Sequence, residues 1–113
     1  MNLSDLKVPE NAPKDLRVQI SNALGLMECR SRQLSSCDRI KRCAVAALYW
    51  RKAEIDLRER YLVATSNDSV TAAPFAIEDA FNRYRNHPLT KQATNAQWQA
   101  DLWHRAAFEE VDK

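Results

Sequence analysis

A single glycine, Gly25, stands in this chain of 113 residues. Hairpin turns with positive φ and phosphate-cradling loops both draw on glycine, so an all-β fold and a P-loop are disfavoured. Long apolar runs are missing too. Nothing approaches the ~20 consecutive apolar residues that cross a bilayer, and the opening stretch MNLSDLKVPENAPK has no apolar core of the kind a secretory signal carries. Cysteine is sparse and odd in number: Cys29, Cys37 and Cys43 fall at spacings of eight and six, with no CxxC pair and no histidine beside them. That pattern favours neither a zinc site nor a disulfide framework. The expectation is of reduced thiols that pack as small hydrophobes in a cytoplasmic protein.

The materials for catalysis are equally thin. His87 precedes Pro88 in a turn, and His104 lies on the last predicted helix. Glu78 with Asp79, and Glu109 with Glu110, are sequence neighbours, and neighbours on a helix point to different sides, so neither pair suits a shared acid and base role. No catalytic residue, cofactor or metal ligand is expected.

What is present is helix-forming. Alanine is abundant, Leu, Arg, Gln, Glu and Lys fill the remaining positions, and 45% hydrophobic with 28% charged residues is the balance of an ordinary globular domain. A chain of this length forms one domain and buries roughly two thirds of its unfolded surface. The fold class expected is all-α: a small helical bundle built on a long helical hairpin, plus two shorter C-terminal helices.

Residues 1–12 carry Pro9 with few apolar anchors and read as an extended N-terminal arm. The helical domain then spans 13–113. Leu16, Ile20, Ala23, Leu24, Met27 and Leu34 recur near helical spacing, giving a first helix over roughly 13–34 that opens on Pro13. Ser35 with Asp38 resembles a capping box and marks a break, against the alternative of one uninterrupted helix. The second helix, 36–64, has two apolar stripes. One holds Ile40, Ala44, Ala47, Leu48, Ile55 and Leu62, the other Cys43, Ala46, Trp50, Ala53, Leu57 and Tyr61. So wide an arc suits packing on more than one neighbour, within the chain or in a symmetric dimer. Residues 65–74 form a polar hinge. Short helices follow within 75–111: one with Ile77, Ala80, Phe81 and Tyr84 on a face, ended by Asn86-His87-Pro88, and one from about Thr94 to Glu110.

Charge is uneven along the chain. Residues 13–65 carry 11 basic and 6 acidic side chains, and residues 66–113 carry 5 and 7. Arg30, Arg32, Arg39, Lys41 and Arg42 bracket the predicted hairpin turn and are the first candidates for electrostatic contact with a partner; Arg83, Arg85 and Trp103 are secondary candidates. Trp50 is read as core and Asp56 to Arg60 as a solvated pair. The partner expected is a larger protein or ribonucleoprotein complex. Nucleic acid bound by the basic turn is the alternative, since the cluster suits phosphate, although a pI near 8.5 and the lack of a short helix-turn-helix weigh against it.

In general character this short, nearly glycine-free helical chain without a catalytic set resembles the small accessory proteins of phages, prophages and plasmids, among them the anti-CRISPR inhibitors. The resemblance implies inhibition by occupying a surface of a larger complex. It transfers no functional residue.

Overall fold

The computed structural model describes residues 3–28, 35–65 and 74–108, with the side chains of 74–77 and 79 outside that description. A 3-10 turn at Leu3–Asp5 precedes four helices: α1 Lys14–Glu28, α2 Ser36–Ala64, α3 Pro74–Asn86 and α4 Pro88–Phe108. No strand occurs among the described residues, and the chain is all-α. Residues 29–34, most of the hinge at 66–73, and 109–113 lie outside the described residues, as do Cys29, Leu34 and the Ile77 side chain.

Ser35 starts α2 as its spacing to Asp38 predicts. Its hydroxyl accepts the Asp38 N–H at 3.2 Å and donates to Asp38 Oδ2 at 3.0 Å. With φ −59° and ψ 150° Ser35 is extended, so no continuous helix runs from 13 to 64. The fourth helix begins six residues earlier than the Thr94 expectation. Pro88, read only as the residue that ends α3, occupies the first position of α4, where its missing N–H costs nothing. His87 is the cap: its Nδ1 accepts the Leu89 N–H at 3.1 Å and its carbonyl accepts the Lys91 N–H at 3.1 Å.

The main partner of α2 is α4, and its contact with α1 is smaller. The long hairpin of α1 and α2 is therefore present but is not the dominant packing unit. The α2/α4 pair is antiparallel, as Arg51 to Asp101 and Arg58 to Gln97 show. Along α4, Ala93, Ala96, Ala100, Trp103 and Ala107 are buried at steps of three and four, and small residues let the two backbones approach closely. From α2 come Cys43 and Ala46, and from α1 Ile20, Ala23 and Met27. The molecule measures 61 × 27 × 18 Å with a radius of gyration of 17.9 Å, against about 13 Å for a compact domain of this length. The largest single part of that length is α2, 29 residues or about 43 Å of helix.

The N-terminal segment is better anchored than an extended arm. Leu3, Leu6, Pro9 and Ala12 are all buried, at every third residue. Gln99 of α4, 1% exposed, accepts the Lys7 N–H at 3.0 Å and donates to the Asp5 carbonyl at 2.7 Å. The indole N–H groups of Trp50 and Trp103 both donate to the Lys7 carbonyl, at 2.9 and 2.8 Å. The segment is a strap bound through its backbone. Gln99→Ala removes two of these bonds and is expected to cost about 1–3 kcal/mol and to speed hydrogen exchange of the Lys7 amide; Trp103→Ala should cost about 3–5 kcal/mol. Urea unfolding followed by circular dichroism measures both, and an unchanged midpoint for Gln99→Ala would mean that the strap adds nothing to stability.

Candidate protein-docking surface

The structure disperses the candidate residues. Arg30 and Arg32 lie outside the described residues. Arg39 is half-buried, and its Nε donates to the Ala106 carbonyl at 2.7 Å, in the last turn of α4, where the helix dipole favours a cation. Arg42 donates to Gln19 Oε1 of α1. Both arginines thus hold neighbouring helices against α2, whereas Lys41 is exposed. Arg83 and Arg85 are exposed on the last turn of α3, which meets the far end of α2 through Tyr61 and Tyr84, rings 4.9 Å apart. From Lys41 to that end is about 25–30 Å along the helix, so the two basic groups do not share a site.

Trp103 is removed from the surface candidates. It is 0% exposed, because the α4 positions that meet α2 include 103 and because the strap brings its indole an acceptor. Phe81, expected on the inner face of α3, is instead 57% exposed.

The two stripes of α2 have different fates. Cys43, Ala46, Trp50, Ala53, Leu57 and Tyr61 are buried or half-buried. The other stripe points outward except at Ala47, which is half-buried against the core: Leu48 is 51%, Ile55 57% and Leu62 65% exposed. These three sit seven residues apart, so each falls nearly above the last, drifting only ~20° per step. Ile40 and Ala44 extend the line toward the start of α2 and are also exposed. The result is a narrow apolar ridge about 33 Å long from Ile40 to Leu62, interleaved with the exposed charges of Lys41, Arg51, Lys52 and Glu59. Lys52 is held 4.9 Å from the Tyr49 ring centroid, which keeps its stem along the helix. An exposed aliphatic line interleaved with charge suits a protein contact, and a helix ridge read at seven-residue steps is what a groove or a second helix receives.

Sequence reasoning missed the arginines that hold α2 to its neighbours. Arg51 meets Asp101 at 2.5 Å and Glu54 at 3.7 Å. Arg58 donates to Tyr84 Oη at 2.6 Å and Gln97 Oε1 at 3.2 Å. Only Asp56 to Arg60, at 3.0 Å, remains the solvated i, i+4 pair that the spacing predicts. Among the described residues no group of three or more His, Cys, Asp or Glu could hold a metal ion, and no helix is long and apolar enough to cross a membrane.

Burial pushes the Cys43 thiol up from about 9 to about 11, with the Arg39 charge pulling it down more weakly. Below pH 9 the thiol is protonated whether the chain is folded or not and has no effect on stability. Between about 9 and 11 the unfolded chain loses the proton first, so stability should fall as the pH rises through that window. In a Cys29→Ser background, a thiol reagent at pH 8 should modify exposed Cys37 and reach Cys43 only on unfolding; two equally fast thiols would contradict the burial. Charge reversal should also separate the cations at this end of α2: Lys41→Glu changes stability by less than about 0.5 kcal/mol, while Arg39→Glu, which loses the Ala106 bond, costs about 1–3 kcal/mol.

A scan against protein-family models matches none, and searches of curated proteins and of solved structures find no similar chain.

Proposed function

We propose that this chain is a non-enzymatic binding protein that docks on a larger protein or ribonucleoprotein complex through the outward ridge of α2 and blocks the surface it covers. One observation carries the reading. The longest helix buries one apolar stripe in the core and leaves a second, Leu48, Ile55 and Leu62, in solvent. These three aliphatic residues are 51–65% exposed, so a partner that covers them recovers roughly half to two thirds of the ~1.5–3 kcal/mol that full burial of each would give, before the cost of association. Lys41 and Lys52 flank the ridge and suit a partner surface of acidic character, where they raise the rate of encounter more than the final affinity.

Nucleic acid is the weaker reading. Arg39 and Arg42 direct donors to Ala106 and Gln19, so the basic end of α2 has fewer donors to offer phosphate than the residue count suggests.

The test is affinity capture from an extract of the cells that encode the chain, comparing wild type with Leu48→Glu/Ile55→Glu, followed by size-exclusion chromatography with light scattering at about 50 and 500 mM salt. The double variant should keep its helical spectrum and melting temperature, because both positions are exposed, and should capture its protein partner at least about ten-fold less well. Equal capture by the variant would refute the ridge as the docking surface. Copurifying nucleic acid that disappears at high salt would replace the protein reading with the phosphate one.

A further inference from the structure

The seam between α2 and α4 has two edges, and they are closed differently. On one edge Arg51 bridges to Asp101 and Arg58 to Gln97 and Tyr84. On the other edge the strap covers only the part near Trp50 and Trp103. Its chain turns away over Pro9 to Ala12, where the Ala12 N–H meets the Pro9 carbonyl at 3.4 Å and Asn11 donates to the Tyr49 carbonyl at 2.9 Å. Beyond that turn the seam continues as an open cleft of about 870 Å³ with Trp50 at one end and Arg60 and Lys91 at the other.

The α4 wall of this cleft repeats the chemistry that binds the strap. Gln92, Asn95 and Gln99 follow at steps of three and four, so the three amides stand in a row on one helix face. Gln99 pairs through both of its ends with the strap's backbone where it leaves the 3-10 turn, accepting from the Lys7 N–H and donating to the Asp5 carbonyl. Gln92 and Asn95 are exposed, line the open half, and are engaged by no side-chain hydrogen bond among the described residues. On the rim, Asp56 is paired with Arg60 at 3.0 Å, which leaves Lys52 and Lys91 facing Glu10 and a net positive charge.

We infer that the open half of the α2/α4 cleft binds an extended, acidic peptide segment of a partner protein, in the way Gln99 already binds the chain's own strap. The cleft runs from residue 50 to residue 60 of α2, about 15 Å, which an extended chain covers in four or five residues. Gln92 and Asn95 bond its backbone, Trp50 packs against a side chain at one end, and Lys91 takes a carboxylate at the other. The inference rests on the reading of the chain as a protein-binding module, but it uses a different face of α2 from the ridge.

A display library of random peptides about eight residues long, panned against the full chain, tests it, with affinities of the selected peptides measured by fluorescence anisotropy. Selected peptides should carry Asp or Glu and lose at least about ten-fold in affinity against Gln92→Ala/Asn95→Ala and against Lys91→Glu. They should bind Leu48→Glu/Ile55→Glu as well as wild type. Loss on the ridge variant alone would overturn the cleft while leaving the ridge intact as a docking surface. The absence of acidic enrichment, or equal binding to the cleft variants, overturns the inference directly. Enrichment of sequences resembling Leu3 to Ala12, with loss of Lys7 amide protection on binding, would assign the cleft to exchange of the strap between copies instead.

Discussion

Two indole N–H groups, from Trp50 at 2.9 Å and Trp103 at 2.8 Å, converge on the carbonyl oxygen of Lys7, and the packing of the rest of the chain depends on that convergence. A buried indole N–H without an acceptor costs about 1–3 kcal/mol. The mid-helix carbonyls of the helices that carry these tryptophans already accept in the i, i+4 ladder, and neither indole bonds to one of them. A non-helical strand between them can. Pro9 and Pro13 keep the segment out of a helix, Leu3, Leu6, Pro9 and Ala12 seat it, and Gln99 supplies the pairing that a neighbouring strand would otherwise give. The strap thus supplies the acceptor for both indoles, fully buried Trp103 and half-buried Trp50.

The strap also explains why α2 has an outer face. With α1, α4 and the strap all on its inner side, the inner stripe is satisfied within one chain and nothing remains to cover Leu48, Ile55 and Leu62. The cations divide along the same line. Arg39, Arg42, Arg51 and Arg58 each reach across to another helix, as suits a planar fork with several fixed donors, while Lys41 and Lys52 stay with the solvent and their own helix. Four of the five arginines of α2 are internal fasteners, so charge counted from composition overstates what that helix presents at the surface.

Much of this was legible in the sequence and some was not, for reasons that can be named. Ser35 with Asp38 marked the start of α2 because a cap is a local hydrogen bond that two residues decide. Pro74 and the end of α3 at Asn86 followed from the same local rules. Pro88 was read for the helix it ends and not for the one it begins, although proline does both. The strap escaped because its buried residues repeat every three positions, a period belonging neither to α-helix nor to β-strand. Both stripes of α2 were visible, but their amphipathic patterns are alike, and which one faces inward is decided by α4 and the strap. Trp103 was misplaced for that reason. The amide row of Gln92, Asn95 and Gln99 carries no hydrophobic signal, and it acquires meaning only once a backbone is seen lying across Gln99.

The ridge and the cleft lie on different faces of one helix that meet at Lys52, and that geometry limits how they influence each other. A ligand in the cleft touches Asn11 and Glu10 and so holds the strap in its bound position, which stabilises the inner core. The ridge shares no side chain with that core. Energetic coupling between the two sites would need an element with two arrangements that both could bias, and α2, uninterrupted from Ser36 to Ala64, offers no break to serve as one. The two contacts should then contribute independently to affinity. A partner that presents both an acidic extended segment and a receptive groove would gain through effective concentration, with one contact holding the other within reach. A partner offering only one would bind at that site's own strength.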